Sequence, residues 1–307
     1  MASTIHRRRV RQGLISDAAM PSLFLYPGLL LLISLTLFPF LYVVYISFTN
    51  HYLPTPHLEK WVGLRNYTNT FADPNFLNSV LVTTRYIVVA VGLELVFGFL
   101  LALLLHSNIR FRSFWRGVLL IPIVLTPIVA GAVWKLMYNA EFGIIPYVLG
   151  LVGLPTLSLA QPSTALWAVL VAEVWQATPF VTLIILAGLT TLPVEVYEAA
   201  SVDGASPLQT VLYITLPLLK PFLVIALVLR FIATFRTFDL IYIMTNGGPG
   251  VSTQDLALRV YEIGFNNMEV GKAAALAVMF LIVAIIVTRF FILKPLTEEQ
   301  PKEVVDL

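Results

Sequence analysis

Six long apolar stretches constrain the fold of this 307-residue chain more than any other feature. A helix needs roughly 20 apolar residues to cross a hydrocarbon core of about 30 Å, and every stretch is long enough. Continuous apolar runs favour helices over barrel strands, which alternate polar and apolar residues. Only 12% of the residues are charged, whereas soluble domains average about 25%. We therefore predict an all-α integral membrane protein with six transmembrane helices, at 22–48, 79–105, 114–138, 165–189, 218–244 and 272–293.

The distribution of lysine and arginine between the connecting segments predicts the orientation. The side that carries both termini holds eleven of these residues: Arg7, Arg8, Arg9, Arg11, Arg110, Arg112, Arg116, Lys220, Arg289, Lys294 and Lys302. The other side holds four: Lys60, Arg65, Arg259 and Lys272. Both termini are therefore predicted to be cytoplasmic, with tails at 1–19 and 296–307 flanking a membrane domain at 20–295. The first apolar run is about twice the length of a signal-peptide core, so we expect a retained span.

One cytoplasmic segment, 190–217, is too polar to span and too patterned to be a simple linker. Val194–Val202 suits a short amphipathic helix, and Gly204 permits a sharp turn. Ser206 followed by Pro207 is typical of a helix start. A second short helix is expected to stop before Pro217. The segment is therefore predicted to form two short helices joined by a glycine turn.

The partner of this segment can be a protein or a lipid surface. Glu195, Glu198 and Asp203 disfavour lipid, because an anionic inner leaflet repels carboxylates. A helix pair resting on the membrane remains the alternative. A protein partner with basic residues fits the acidic side chains better.

The same segment resembles the EAA loop of binding-protein-dependent importer permeases. The shared pattern is Glu198-Ala199-Ala200, then Asp203-Gly204-Ala205, then Ile214-Thr215-Leu216-Pro217. The resemblance implies that this loop, between spans four and five, inserts into a cleft of an ATPase subunit. It also implies coupling roles for Glu198, Ala199, Ala200, Asp203, Gly204, Ala205 and Pro217.

Residues 235–242 and 245–249 resemble the fifth span and following turn of carbohydrate-uptake permeases for maltose, trehalose or glycerol 3-phosphate. The resemblance covers about residues 20–295. It implies a second permease subunit, two ATP-binding-cassette subunits, an extracytoplasmic binding lipoprotein and a sugar substrate, all at a bacterial cell membrane. This chain has no G-x-x-x-x-G-K-[ST] pattern, so ATP and Mg²⁺ are expected on the partner and no cofactor on this chain. A net charge of +2 gives no reason to expect nucleic acid.

Ionisable residues inside apolar stretches are costly and are functional candidates by default. They are Glu94, Glu173, Arg230, Arg236 and Asp239. Arg236 and Asp239 have the i, i+3 spacing of a helical ion pair. Glu173 and Arg230 can pair with each other or point into a water-filled cavity. Interhelical ion pairs that only hold the bundle together remain an equal alternative.

Four aromatic residues of the fifth stretch, Phe231, Phe235, Phe238 and Tyr242, have the spacing of one helical stripe. Aromatic faces suit sugar rings, although a packing or lipid-facing stripe is more common. By resemblance, the sugar site of the family is built from spans four and five. The predicted substrate pathway is Glu173, Ala177, Phe180, Arg230, Thr234 and Phe238.

Two other classes of function are weighed against an importer subunit. An ion-coupled secondary transporter would use Glu94, Glu173 and Asp239 as relay groups, but no duplicated halves are visible. A membrane enzyme would need a catalytic cluster, and neither H-E-x-x-H nor G-x-S-x-G occurs. The chain contains no cysteine, which excludes disulfides and thiolate metal sites. We therefore expect a transport subunit without catalytic or metal-ligating residues.

Overall fold

The computed structural model describes residues 20–289, and every regular element within them is helical apart from one bridge between Thr49 and Trp61. The predicted tails lie outside the described residues. The fourteen α-helices of this range, α1 to α14, are Met20–Ser47, Arg65–Ala72, Pro74–His106, Arg112–Val124, Pro127–Met137, Ile144–Leu151, Ala165–Leu189, Val194–Val202, Pro207–Thr210, Leu216–Leu218, Lys220–Phe235, Asp239–Met244, Leu256–Tyr261 and Val270–Val287.

Four of these helices are long and apolar enough to cross a membrane: α3, α7, α14 and the part of α1 from Leu25 to Ser47. Two further spans are possible if each of two bent helix pairs counts as one. The α4–α5 pair bends by 98°, and the pair formed by Pro207–Leu218 and α11 bends by 66°. The described part of the chain is thus a helical, multi-pass membrane protein with four to six spans.

The third predicted span is broken, which corrects the expectation of one helix over 114–138. Leu125 and Thr126 are extended, and Pro127 begins α5. A residue before proline is sterically pushed out of the helical conformation, so the break falls at Thr126.

The fifth predicted span is also broken. α11 ends at Phe235, and α12 begins only at Asp239. The C-terminal halves of the two broken spans, α5 and α12, pack on each other. Gly131 makes this contact possible, because a side chain there would collide with Ile243.

The segment 190–217 agrees with the prediction in its first helix and differs in its second. α8 has the predicted bounds, and Gly204 has a φ of +76°, which glycine adopts without strain. The Ser206 hydroxyl accepts from Gln209 N, and the Gln209 side chain accepts from Ser206 N. The predicted stop before Pro217 is wrong, because a π turn over Val211–Thr215 leads through α10 to Leu218. A change in the hydrogen-bonding pattern is one way for a helical segment to accommodate proline.

The α3–α7 pair forms the centre of the described bundle, and small side chains make it close. Ala90, Ala168 and Ala172 are fully buried in the core. Two turns after Ala90 on α3, Gly98 faces Val181, whose side chain leaves no room for a Cβ at position 98. In lipid, helices associate through van der Waals packing, which favours small residues at the contact. α1 differs from this central pair, because only 6% of its most apolar 18-residue stretch is buried. It packs mainly on α14.

Candidate functional site

Arg230 joins three helices through two buried carboxylates. On α11, its Nε and Nη2 donate to the two carboxylate oxygens of Glu94 on α3, at 2.6 and 3.0 Å. Its Nη2 also donates to Glu173 on α7 at 2.7 Å. All three side chains are buried, and Glu94 is wholly inaccessible. Charge-assisted bonds of this geometry are roughly twice as strong as neutral ones.

Two neutral side chains complete this network. The Tyr86 hydroxyl donates to the second oxygen of Glu173 at 3.1 Å, and Arg230 Nη2 donates to the Thr234 hydroxyl at 3.1 Å. We call these five residues, Glu94, Glu173, Arg230, Tyr86 and Thr234, the charge network. Removing one partner of a buried ion pair typically costs about 3–5 kcal/mol, so the network holds α3, α7 and α11 together.

A cavity of about 470 Å³ lies directly beside the charge network. Glu173 and Arg230 both belong to the network and border this cavity, so pairing with each other and facing a cavity do not exclude one another. Five of the six predicted pathway residues line it, whereas Thr234 is buried and reaches it only through Arg230. The full lining is Ile123, Leu125, Pro127, Glu173, Gln176, Ala177, Phe180, Arg230, Ala233, Arg236, Thr237, Phe238, Asp239 and Leu240.

Both helix breaks border this cavity. Leu125 and Pro127 come from the break in the third span, and Gln176 Nε2 donates to the free Leu125 carbonyl at 2.9 Å. Arg236 and Asp239 come from the break in the fifth span. No ion pair joins these two residues in the described part of the chain, so the expectation that Arg236 pairs with Asp239 is wrong. The i, i+3 spacing brings side chains together only in a continuous helix, and here α11 ends just before Arg236 while Asp239 begins α12.

The aromatic stripe is divided by the same break, so the expectation of one continuous face is wrong. Phe235 stacks on Phe280 of α14 at 4.1 Å, and with Phe231 it lines a separate apolar groove. Phe238 stacks on Tyr242 at 5.1 Å, and of the four aromatic residues it alone lines the cavity.

The residues of the predicted coupling loop lie beyond the end of α7. Sixteen residues of helix separate Glu173 from Leu189, which is roughly 24 Å at 1.5 Å per residue. Most of the residues predicted to couple are exposed: Glu198, Ala199, Asp203, Gly204 and Pro217. Ala200 is buried and Ala205 is half-buried. The Tyr197 hydroxyl donates to Thr215 at 3.2 Å and ties the two halves of the loop together.

Comparison with known proteins identifies the family. Residues 94–293 match the family described as binding-protein-dependent transport system inner membrane component. The chain belongs to this family. The match includes the charge network from Glu94 onwards, the cavity and the whole of the predicted coupling loop.

Relatives of this inner membrane component align over most of its length. The probable ABC transporter permease protein y4oQ of Sinorhizobium fredii is 38% identical over 277 residues, covering 90% of this chain and 88% of the relative. The trehalose/maltose transport system permease protein MalF of Thermococcus litoralis is 36% identical, covering 86% and 89%. The sn-glycerol-3-phosphate transport system permease protein UgpA of Agrobacterium fabrum is 33% identical, covering 76% and 80%.

A solved structure shares the fold of this inner membrane component. The match is a chain of a bacterial alginate ABC transporter, crystallised in complex with alginate pentasaccharide-bound periplasmic protein. Its TM-score is 0.76 at 20% identity, covering 89% of this chain and 94% of the other.

Sequence reasoning missed part of the site. Glu94 was recognised as an intramembrane charge, but its pairing with Arg230 across 136 positions was not predicted. The sequence did contain one indication of it: a single arginine, Arg230, and two carboxylates, Glu94 and Glu173, all lie inside apolar stretches. Tyr86 and Gln176 carried no such signal, since each is an ordinary residue for its helix. Within residues 20–289, no group of three or more metal-ligating side chains is arranged to hold a metal ion.

Proposed function

We propose that this chain is the permease subunit of an ATP-binding-cassette importer and forms half of the pathway for a sugar entering a bacterial cell. The chain has no catalytic role in this proposal, since ATP is hydrolysed on a partner. It crosses the inner membrane six times, with both termini cytoplasmic and the coupling loop on the cytoplasmic side. The relatives named as trehalose/maltose and glycerol-3-phosphate permeases support a carbohydrate solute.

One observation carries the proposal: the coupling loop connects the two helices that form the cavity walls. α7 ends at Leu189, where the loop begins, and α11 begins at Lys220, three residues after the loop ends. Glu173, Ala177 and Phe180 project from α7, and Arg230 from α11. A rigid loop held in a moving ATPase cleft therefore displaces both walls, which is how rigid-body motion opens or closes a central site.

The cavity chemistry favours an uncharged sugar over a phosphorylated one. Its volume of about 470 Å³ falls within the ~300–1,000 Å³ usual for small-molecule sites. Phe180 and Phe238 offer aromatic faces, and Gln176 offers an amide for hydroxyl groups. The lining holds two arginines, Arg230 and Arg236, against two carboxylates, Glu173 and Asp239, and Arg230 is also paired with Glu94, so the cavity has no excess positive charge to bind a phosphate.

The proposal implies several partners. A second homologous permease closes the open side of the cavity, and two ATPase subunits bind the coupling loops. An extracytoplasmic solute-binding protein delivers the sugar. Glu198 is exposed and acidic, which suits a basic side chain of the ATPase.

Reconstitution of the complete complex in proteoliposomes tests this function. The binding protein is loaded in turn with trehalose, maltose or sn-glycerol 3-phosphate, and ATP hydrolysis is measured. A neutral disaccharide is expected to stimulate hydrolysis more than the phosphate ester. Absence of any co-purifying ATPase would contradict the importer assignment, whereas stimulation by the phosphate ester alone would contradict only the uncharged solute.

A further inference from the structure

Three arginines lie where α3 meets α4. Arg110, Arg112 and Arg116 lie within two helical turns, and the last two act electrostatically on His106 at the end of α3. No carboxylate among residues 20–289 forms an ion pair with these arginines. The Nε atoms of Arg112 and Arg116 are buried and have no hydrogen-bond partner there. Buried donors without partners are rare in folded proteins, and these two call for an acceptor.

The start of α4 adds further donors at the same place. Phe111 precedes the helix with a φ of +62° and no side-chain cap, and the first helical bond runs from Trp115 N to Phe111 O. The backbone N–H groups of Arg112, Ser113 and Phe114 therefore have no acceptor in the described part of the chain. The free N–H groups and the helix dipole both favour an anion.

An apolar groove begins one turn beyond these donors. It has a volume of about 580 Å³ between α3, α4 and α7. On α4 it starts at Val118 and Leu119, and on α3 it passes Leu101, Leu100 and Phe97 to reach Leu93. Eight residues of α3 correspond to roughly 12 Å of depth along the helix. The groove runs from the arginines towards the middle of the span.

We propose that the arginine cluster and this groove together bind one glycerophospholipid with an anionic headgroup. Arg112 and Arg116 hold the headgroup phosphate, and one acyl chain lies in the groove. Phe114 and Trp115, 62% and 50% exposed, flank the headgroup at the level where aromatic side chains meet the membrane surface. Basic pockets between membrane helices are a recognised form of anionic-lipid site. A soluble anion would leave the groove empty, whereas a phospholipid uses both parts.

Native mass spectrometry of the full chain tests the headgroup contact. Phosphatidylglycerol and phosphatidylcholine with identical acyl chains are added to the delipidated protein. Wild type is expected to retain phosphatidylglycerol preferentially. The double variant Arg112→Gln/Arg116→Gln is expected to lose at least about tenfold in apparent affinity, as a lost charge-assisted bond predicts. Arg112→Lys/Arg116→Lys should keep most of the preference, and Lys60→Gln/Arg65→Gln, at the other end of the bundle, should keep all of it.

A second arm tests the groove. Leu100→Trp should fill it and weaken binding of long-chain phosphatidylglycerol, while dihexanoyl phosphatidylglycerol is affected much less. Inorganic phosphate should compete only at far higher concentration than the lipid. Equal retention of both lipids by wild type overturns the proposal, as does an unchanged preference in the glutamine double variant. Displacement by phosphate at lipid-like concentration overturns it in favour of a simple anion site. Loss of ATPase assembly without change in lipid retention assigns the arginines to a protein contact instead.

Discussion

Arg230 on α11 donates to both carboxylate oxygens of Glu94 on α3, at 2.6 and 3.0 Å, although 136 positions separate the two residues. Glu94 is wholly buried, so this pair has no access to water on the carboxylate side. Glu173 takes a third bond from the same guanidinium and faces the cavity. The wall of the cavity is therefore fixed to the centre of the bundle by one side chain.

Arg230→Met is expected to destabilise the chain by about 3–5 kcal/mol, because it leaves two buried carboxylates unpaired. Glu94→Gln should cost less, since Arg230 keeps Glu173. Thermal unfolding in detergent measures both. Arg236→Met is the matched control, because Arg236 is exposed and forms no ion pair in the described part of the chain. Equal unfolding temperatures for Arg230→Met and Arg236→Met would show that the charge network does not stabilise the bundle.

Phe238→Ala is expected to raise the KM for solute uptake by roughly three- to tenfold, because it removes an aromatic face from the cavity. Phe235→Ala removes the same side chain from a contact with Phe280, outside the cavity, and should leave KM unchanged. Uptake into proteoliposomes gives the comparison, with co-purification of the ATPase confirming assembly. A KM effect of equal size in both variants would place the solute elsewhere.

Gly204→Val is expected to uncouple ATP hydrolysis from transport. A Cβ there meets no atom within 4 Å, so crowding is not the cause. The cause is the φ of +76°, which costs a β-branched residue about 1–3 kcal/mol. Gly204→Asn is the control, since asparagine tolerates this conformation better. Hydrolysis and uptake measured on the same proteoliposomes separate the two variants. If both variants transport the same amount of solute per ATP hydrolysed, the conformation of this turn does not determine coupling.

Glu198→Lys is expected to weaken association with the ATPase, because it reverses an exposed charge on α8. The lost charge-assisted bond is worth roughly 1.5–3 kcal/mol, or at least about tenfold in affinity. Glu195→Lys, one turn earlier on α8, tests whether the effect is specific to one position. Pull-down of the ATPase at two salt concentrations gives the measurement. If the Glu198→Lys variant binds the ATPase normally at low salt, Glu198 does not take part in the contact with the ATPase.

Ser163→Cys and Ser201→Cys are expected to label from opposite sides of the membrane, because these exposed residues lie beyond the two ends of α7. The chain has no native cysteine, so the background is clean. An impermeant maleimide should reach Cys at 163 in intact spheroplasts and Cys at 201 only after permeabilisation. The reverse pattern would invert the proposed orientation.

Features that depend on residues close together in the sequence were predictable from the sequence alone. The apolar stretches indicated a helical membrane protein, and α8 has the bounds that its pattern predicted. Ser206 and Pro207 marked the start of α9, and Gly204 marked the turn. These features depend on local propensities, capping and steric limits, which act within a few residues of each other.

Tertiary packing decided the rest. The sequence alone predicted a continuous helix over 218–244, but its C-terminal part separates to pack as α12 against α5. That separation divides the aromatic stripe and moves Arg236 away from pairing with Asp239. Arg230 pairs with Glu94 as well as Glu173 because α3, α7 and α11 meet at one level of the bundle. Local patterns show which side chains are costly in lipid, but the partner of each depends on which helix faces meet, and that is determined by packing over the whole chain.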